Sequence, residues 1–218
     1  MNAATTFQEL LDHKLVAVVR VDHIDQLFPV TEALLKGGIK LIEATLTIPK
    51  LLEHTQSLVQ QFGDEMVFGI GSVLNAQMAS EAIDAGANFI VSPVCDLDIL
   101  KIASKNDILA SVGAYSPSEI QQAWLAGSRL VKVFPADSLG PKYIKGVRAP
   151  MPHLQLMPTG GVSAENLTQW LDAGCAALGV GSALVDMKAV RSGDYEQIYN
   201  NAKQLTSILA NWKSERSE

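Results

Sequence analysis

The sequence has few of the features that mark several classes of protein. Its 218 residues include only two cysteines, Cys95 and Cys175, too few for a disulfide framework and typical of a reducing compartment. No apolar run approaches the roughly 20 residues of a membrane-spanning helix. Residues 1–14 lack the basic stretch and apolar core of a secretory signal. We therefore expect a cytoplasmic protein with no membrane contact.

Clustered basic charge is also missing. Lys and Arg number 17 against 23 Asp and Glu, and no basic run is longer than two residues. Nucleic-acid binding needs a basic patch, so we expect no nucleic-acid partner. Hydrophobic residues make up 48% of the chain, which is the composition of a packed globular protein.

A short phrase containing glycine recurs where a helical pattern gives way to an apolar run. A glycine at this place ends a helix, because it adopts the left-handed backbone conformation that other residues avoid. The residues around the glycines differ between copies, which favours strand–helix units over a solenoid of uniform repeats. The four phrases contain Gly37, Gly86, Gly127 and Gly174.

Eight short apolar runs are predicted to be strands of a parallel sheet, since strands covered on both faces are apolar almost throughout. The segments between them have helical periodicity. A leading helix is predicted over Phe7–His13, within residues 1–14, and a final helix over Tyr195–Trp212. The predicted strands are Leu15–Arg20, Leu41–Leu46, Val67–Ser72, Phe89–Ser92, Ile108–Val112, Leu130–Phe134, Leu154–Pro158 and Ala177–Val180.

Eight strands alternating with helices in 218 residues match the lower size limit of a (β/α)8 barrel. We predict an α/β fold, a single-domain TIM barrel over residues 1–218 with an extra N-terminal helix and a frayed tail over 214–218. The alternative is a doubly wound open sheet. That fold carries a glycine-rich fingerprint after its first strand, and Val18–Asp22 contains no glycine.

Two predicted strands carry a charge within an otherwise apolar stretch. Alternation places Glu43 on the same face of the second strand as Leu41 and Thr45, and Lys132 lies mid-strand in the sixth. Alternate strands of a barrel supply one interior layer, so the two charges are predicted to face each other near the C-terminal mouth. The alternative is that Lys132 extends outward and Glu43 lies on an exposed edge.

A buried lysine near a carboxylate suits one kind of catalysis, in which its neutral amine attacks a carbonyl and forms a Schiff base. A carboxylate in direct contact favours the charged amine instead. We therefore expect at least one water between Glu43 and Lys132, with Glu43 acting as a proton shuttle.

Glycine-rich turns follow the last two predicted strands. Thr159, Gly160 and Gly161 follow the seventh, and Gly181 and Ser182 follow the eighth. In barrels these two loops often bind phosphate through bare backbone N–H groups. The pair of turns predicts a phosphate or carboxylate site, although Gly-Gly is also a common turn signal.

Other side chains at the same mouth offer binding groups. Arg20 ends the first predicted strand and either clamps a carboxylate or is simply solvated. Ser72 ends the third and offers a hydroxyl. The four histidines lack metal-ligand spacing, so no metal site is expected.

The chain resembles the bacterial 2-keto-3-deoxy-6-phosphogluconate (KDPG) / 4-hydroxy-2-oxoglutarate (KHG) aldolases, a class I family. The likeness runs from about Leu15 to Ala210. The phrases that carry it are Val16–Arg20, Ile42–Thr47, Gly69–Leu74, Val91–Pro93, Lys132–Ala136, Pro158–Val162 and Gly179–Leu184.

The resemblance implies a role for each matching residue. Lys132 is then the Schiff-base lysine and Glu43 the general acid/base. The implied substrate-binding residues are Arg20 and Ser72 for the pyruvate carboxylate, Pro93 and Phe134 near it, and Thr159, Gly160, Gly161, Gly181 and Ser182 for the distal phosphate. The resemblance also implies a homotrimer of barrels that needs no metal or organic cofactor.

The implied reaction splits a sugar-acid phosphate in carbohydrate metabolism, as in the Entner–Doudoroff pathway. KDPG gives pyruvate and glyceraldehyde 3-phosphate, and KHG gives pyruvate and glyoxylate.

Three departures from the family pattern bear on substrate choice. Thr47 stands where many members have Arg, Ser72 replaces the more usual Thr, and Val112-Gly113 replaces Pro-Gly.

Other functions remain open from the sequence. The same lysine serves an aldolase for the galactonate epimer, or an oxaloacetate decarboxylase. A phosphate-binding barrel without chemistry is an alternative of another class. A purely structural role leaves the two mid-strand charges unexplained.

Overall fold

The computed structural model describes residues 1–63 and 65–216, in which parallel strands alternate with helices. The strands are β1 (Leu15–Val19), β2 (Leu41–Thr45), β3 (Val67–Gly71), β4 (Phe89–Val91), β5 (Leu109–Ser111), β6 (Gly113–Ala114), β7 (Val131–Val133), β8 (Leu156–Pro158) and β9 (Leu178–Val180). The helices are α1 (Ala3–His13), α2 (Leu27–Lys36), α3 (Leu51–Phe62), α4 (Ala76–Asp84), α5 (Leu97–Lys105), α6 (Pro117–Leu125), α7 (Gly140–Arg148), α8 (Leu167–Asp172), α9 (Met187–Ser192) and α10 (Tyr195–Ser214).

The strands form a curled parallel sheet in two hydrogen-bonded parts. One part has the order β5-β4-β3-β2-β1-β9 and the other β6-β7-β8, and every strand pair is parallel. Hydrogen bonds connect the parts on both sides. The amide of Lys132 donates to the carbonyl of Val112, between β5 and β6, and Thr159 forms a parallel bridge with Gly179. The α/β class predicted from the sequence is confirmed.

The predicted fifth strand, Ile108–Val112, corresponds to β5, and a further short strand that was not predicted, β6, follows it. β5 and β6 are separated at Val112, and the Gly113 amide turns away to donate to the carbonyl of Val94. Gly113 lies so close to Pro93 that an added Cβ would be 2.3 Å from the Pro93 carbonyl carbon. This close approach interrupts the regular hydrogen-bond ladder where β5 ends and β6 begins. The apolar character of this segment gives no sign of the interruption.

The outer face of the sheet packs against the helices. Leu15, Ala17 and Val19 of β1 are buried in this outer core together with apolar side chains such as Leu27 and Leu34 of α2. Strand residues alternate between the two faces, so Val16 of the same strand points to the inner face.

A second apolar cluster fills the inner face at the amino ends of the strands. Leu10 of α1 is 1% exposed and packs into it, with Phe7 and Leu11 alongside. Helix α1 therefore covers this end of the curled sheet and leaves the carboxyl ends of the strands for polar residues. The strand residues of the cluster include Val16, Leu41, Val67, Phe89, Leu109 and Met157.

The ends of the helices partly follow the prediction. Within the four glycine phrases the left-handed residues are Gly38, Gly86, Gly127 and Gly174, so in the first phrase it is Gly38 rather than Gly37 that has positive φ. Gly193 ends α9 in the same conformation. Helix α10 runs to Ser214, and Arg216 lies 2.5 Å from the Asp172 carboxylate. Residues 217 and 218 of the predicted tail lie outside the described residues. Within the described chain, none of the helices combines the length and apolar character needed to cross a bilayer.

Candidate functional site

Lys132 and Glu43 meet across the inner face of the curled sheet. The Lys132 Nζ lies 3.5 Å from Glu43 Oε1, and the two side chains are 5% and 1% exposed. Lys132 is the central residue of β7 and Glu43 the central residue of β2. The prediction that the two charges face each other is confirmed. Pairing also explains how two charges are tolerated in an apolar interior.

One detail of the sequence prediction is wrong. We expected at least one water between the two groups, but 3.5 Å leaves no room for a water between Nζ and Oε1. Small neighbours let the groups come this close, since Lys132 pairs with Gly113 and Glu43 with Gly69 across their strands. The contact lets a proton pass directly between the carboxylate and the amine.

The second oxygen of Glu43 is available for chemistry. Glu43 Oε2 is buried and has no hydrogen-bond partner among residues 1–63 and 65–216. An unpartnered buried carboxylate oxygen is costly unless a function uses it. The same holds for the hydroxyls of Ser111 and Thr159, whose oxygens are also buried without a described partner.

Phe134 lies beside the amine at the open end. Its ring centroid is 5.2 Å from Lys132 Nζ, within the range of a cation–π contact. Phe134 directly follows β7 and is 36% exposed, so one face of the ring is accessible from outside. The ring thus forms an apolar wall next to the lysine.

Three other predicted residues follow strands at the same end. Arg20 is exposed after β1, Ser72 is half-buried after β3, and Pro93 is half-buried after β4. Ser72 has a φ of 61°, a conformation uncommon for a residue with a side chain and concentrated at functional sites. In the described part of the chain, none of the three hydrogen-bonds to Lys132 or Glu43.

The two glycine-rich turns lie next to each other. Thr159 of the first turn forms a parallel bridge with Gly179 of β9. Gly181 and Ser182 of the second turn directly follow this strand. Gly160 and Gly161 have φ values of 105° and 71°, which a glycine adopts without strain. In the described structure, the backbone N–H groups of Gly161, Gly181 and Ser182 donate no hydrogen bond. Free N–H groups in adjacent turns are the usual means of holding an anion.

A cavity of about 380 Å³ lies between the second glycine-rich turn and the carboxyl end of β1. It contains Arg20 and the turn residues Gly181 and Ser182, and it reaches Val18, which pairs with Glu43 across β1 and β2. Arg20 and the second turn therefore border one space, and Val18 in the lining of this space is the strand partner of Glu43.

The cavity also contains two residues that the sequence analysis missed. Arg191 Nε lies 2.7 Å from Asp22 Oδ2, and its Nη2 lies 3.3 Å from Oδ1. The hydrogen bond from Arg191 lowers the pKa of Asp22 below its ordinary value. The two residues are 169 positions apart, so no local pattern signals their contact.

Neither cysteine has the properties of a reactive thiol. Burial raises the pKa of Cys175 to about 12, and burial also raises the pKa of the half-buried Cys95. In the part of the chain that the structure describes, no group of three or more His, Cys, Asp or Glu side chains is placed to hold a metal ion.

Comparisons with known proteins agree with this geometry. The model of the KDPG and KHG aldolase family matches residues 7–201. A 2-dehydro-3-deoxy-phosphogluconate aldolase from Pseudoalteromonas atlantica is 33% identical over 197 residues, which is 90% of this chain and 91% of the relative. A 2-dehydro-3-deoxy-6-phosphogalactonate aldolase from Escherichia coli is 29% identical over 197 residues, or 87% and 96% of the two chains.

A solved structure shows the same fold. The KDPG aldolase from Legionella pneumophila superposes with a TM-score of 0.85 at 26% identity, covering 91% of this chain and 97% of that one. In that structure pyruvate is captured as a covalent carbinolamine intermediate.

Proposed function

The chain belongs to the KDPG and KHG aldolase family, and we propose that it releases pyruvate from KDPG and from KHG through a Schiff base on Lys132. The observation that carries this proposal is the buried contact between Lys132 Nζ and Glu43 Oε1 at 3.5 Å. A nucleophilic amine and a proton-transfer group within reach of each other are what a class I aldolase requires.

The first half of the reaction attaches the substrate. Glu43 first takes a proton from the Lys132 ammonium through their direct contact, which leaves a neutral amine. This amine attacks C2 of the 2-oxo acid, and the C2–N bond forms as the C=O π bond opens and its oxygen takes that proton back from Glu43. A second proton then lets this oxygen leave as water, which produces a protonated imine. Glu43 takes the proton released by the amine and returns it to the departing oxygen.

The second half breaks the carbon–carbon bond. Glu43 removes the proton of the C4 hydroxyl, and the electron pair of the C3–C4 bond moves into the imine to form an enamine. The aldehyde product leaves, and C3 of the enamine takes up a proton. Water then adds at C2, which releases pyruvate and restores the free amine of Lys132.

The pyruvate end of the substrate is assigned to the residues around the amine. Arg20 and Ser72 bind the carboxylate, because a guanidinium and a hydroxyl are the carboxylate-binding groups that follow β1 and β3. Pro93 and Phe134 provide the apolar surface against the substrate carbons. The position of the Phe134 ring, 5.2 Å from Lys132 Nζ, supports this assignment.

The phosphate end is assigned to the two glycine-rich turns. The N–H groups of Gly161, Gly181 and Ser182 and the hydroxyl of Thr159 surround the phosphate, and Gly160 lets the backbone of the first turn approach it. The support is that these N–H groups and this hydroxyl have no other partner in the described chain. The proposed reaction needs no metal or organic cofactor, since the lysine itself supplies the electron sink.

A second substrate is the galactonate epimer of KDPG. The 29% identical relative from Escherichia coli is named for the 6-phosphogalactonate reaction, and it matches nearly as much of the chain as the gluconate enzyme does. The two substrates differ only in the configuration at C4, and the same Lys132–Glu43 pair serves both.

A steady-state comparison of pyruvate release tests the proposal. The substrates are KDPG, its galactonate epimer, KHG and oxaloacetate, and the control is the Lys132→Met variant. We expect wild-type cleavage of KDPG and a loss of at least about a thousandfold in the variant, because the covalent route is removed. A chain that binds phosphate but releases no pyruvate would instead be a binding protein.

We also propose that the curled sheet closes into a complete (β/α)8 barrel over a single domain of residues 1–218. The Val112–Lys132 and Thr159–Gly179 links support closure on both sides. Family membership further supports a homotrimer. Light scattering coupled to size-exclusion chromatography tests this assembly, and a mass equal to one 23.4 kDa chain contradicts it.

A further inference from the structure

The cavity at the end of β1 contains an arginine that the reaction above does not use. Arg191 lies in α9 and lines this cavity together with Arg20 and Ser182. Arg20 and Ser182 are both assigned to substrate, so Arg191 shares a cavity with two substrate-binding residues. The side chain of Arg191 is 61% exposed and that of Asp22 42% exposed, so a ligand in the cavity can reach both.

The guanidinium of Arg191 is only partly engaged. It donates from Nε and Nη2 to the two oxygens of Asp22. Its Nη1 has no hydrogen-bond acceptor within residues 1–63 and 65–216. A guanidinium has five N–H donors, so Arg191 retains donors for an anion without leaving Asp22.

The charges in the cavity favour an anion that carries more than one negative charge. Arg20 is assigned to the pyruvate carboxylate, so Arg191 is the cation of this lining that remains for the distal anion, and Asp22 offsets part of its charge. A phosphate of charge near −2 gains more from the second arginine than a carboxylate of charge −1 does. The planar fork of an arginine also matches two phosphate oxygens at once.

We propose that Arg191 binds the distal phosphate of the substrate and makes the enzyme prefer sugar-acid phosphates to KHG. In KDPG the phosphate is attached at C6, whereas the second carboxylate of KHG is C5, one carbon nearer the lysine. The longer substrate therefore carries its distal anion farther from Lys132 than KHG does, and Arg191 is the cation of the cavity lining that the reaction above leaves for this anion. This inference rests on the proposed function, because it assigns the phosphate end of that same substrate.

A simpler role for Arg191 makes a different prediction. If Arg191 only neutralises Asp22, then removing both charges leaves the cavity as favourable to phosphate as before. If Arg191 binds phosphate directly, removing Asp22 as well does not restore the lost contact. A double-mutant cycle of the two residues separates the two roles.

The experiment measures KM and kcat for KDPG and for KHG in Arg191→Gln, Asp22→Asn and the double variant. Lys188→Gln is the control, since Lys188 is an exposed cation of the same helix that does not line the cavity. We expect Arg191→Gln to raise KM for KDPG about tenfold more than KM for KHG, equivalent to about 1.4 kcal/mol. The double variant keeps this loss, and Lys188→Gln has the wild-type ratio.

Two results would overturn the proposal: an equal rise in KM for both substrates in Arg191→Gln, or recovery of the wild-type KM in the double variant. Calorimetry with inorganic phosphate adds a readout that does not depend on catalysis. Phosphate binding that weakens in Arg191→Gln but not in Lys188→Gln supports the role of Arg191 even if KDPG is not cleaved. Absence of cleavage by the wild type contradicts the proposed function alone.

Discussion

Gly71 lies directly against the carboxylate of Glu43 on the neighbouring strand. A Cβ atom added to Gly71 would be 2.1 Å from Glu43 Oε1 and 2.7 Å from its Cδ. The backbone of Glu43 pairs with Gly69, two residues earlier in β3. The Glu43 side chain therefore extends toward the carboxyl ends of the strands, and Gly71 leaves the space that its carboxylate occupies beside Lys132.

Replacing Gly71 with alanine tests whether this space matters. The added methyl group displaces the Glu43 carboxylate from Lys132, so we expect Gly71→Ala to lower kcat about 100-fold, as misplacement by about 1 Å does in other enzymes. Gly146→Ala is the matched control, because Gly146 lies in helix α7 with no atom within 4 Å of the added Cβ. Equal kcat values for the two variants would mean that the position of Glu43 is not critical.

The free energy of unfolding should depend on the pairing of Lys132 with Glu43. Lys132→Met leaves Glu43 buried without its cation, and we expect the free energy of unfolding to fall by about 3–5 kcal/mol. Glu43→Gln in the same chain removes the unpaired charge, so the double variant should regain much of this loss. Urea unfolding at pH 7 measures all three proteins. Additive losses in the double variant would show that the two side chains do not interact.

The polar centre was largely predictable because its signal is local. A charge in the middle of an apolar strand is costly, and alternation alone assigns Glu43 and Lys132 to the inner face. Their direct contact was not predictable, since the glycines that permit it act through three-dimensional packing. The break between β5 and β6 depends in the same way on the close approach of Gly113 to Pro93.

The contact of Asp22 with Arg191 had no signal in the sequence. Each residue is exposed and has the pattern of an ordinary solvated charge, and 169 positions separate them. By contrast, the two glycine-rich turns were predictable because glycines clustered directly after an apolar run are a local signal of the sequence. Long-range contacts of surface side chains need the fold itself.

Helix α1 should contribute strongly to stability through Leu10. This side chain is 1% exposed and packs into the inner apolar cluster, so we expect Leu10→Ala to cost about 2–5 kcal/mol. Leu125 is 75% exposed, and Leu125→Ala should change stability by no more than about 0.5 kcal/mol. Denaturant unfolding of the two variants makes the comparison. Similar losses in both would contradict the packing of α1 against the sheet.

The capping interaction of helix α6 should depend on pH. Backbone N–H donors of Ser116 and Tyr115 hold the pKa of Glu119 below its ordinary value. A depressed pKa means that the charged carboxylate stabilises the fold above the pKa of the unfolded chain. This stabilisation is then lost as the pH falls through the folded value.

We therefore expect Glu119→Gln to cost about 0.5–1 kcal/mol at pH 7 and much less at about pH 3. Glu53→Gln is the control, because Glu53 is an exposed residue in the first turn of α3. Unfolding curves at several pH values give the difference between the two variants. A cost for Glu119→Gln that does not change with pH would contradict the role of its charge.

Trapping with pyruvate and borohydride tests the central claim most directly. If Lys132 forms a Schiff base with pyruvate, borohydride delivers a hydride to the imine carbon and leaves a stable secondary amine on that side chain. Mass spectrometry of the digested protein should then locate the reduced pyruvate adduct on Lys132, and Lys132→Met should carry none. A folded wild-type protein without an adduct on Lys132, or with the adduct on another lysine, would contradict the account.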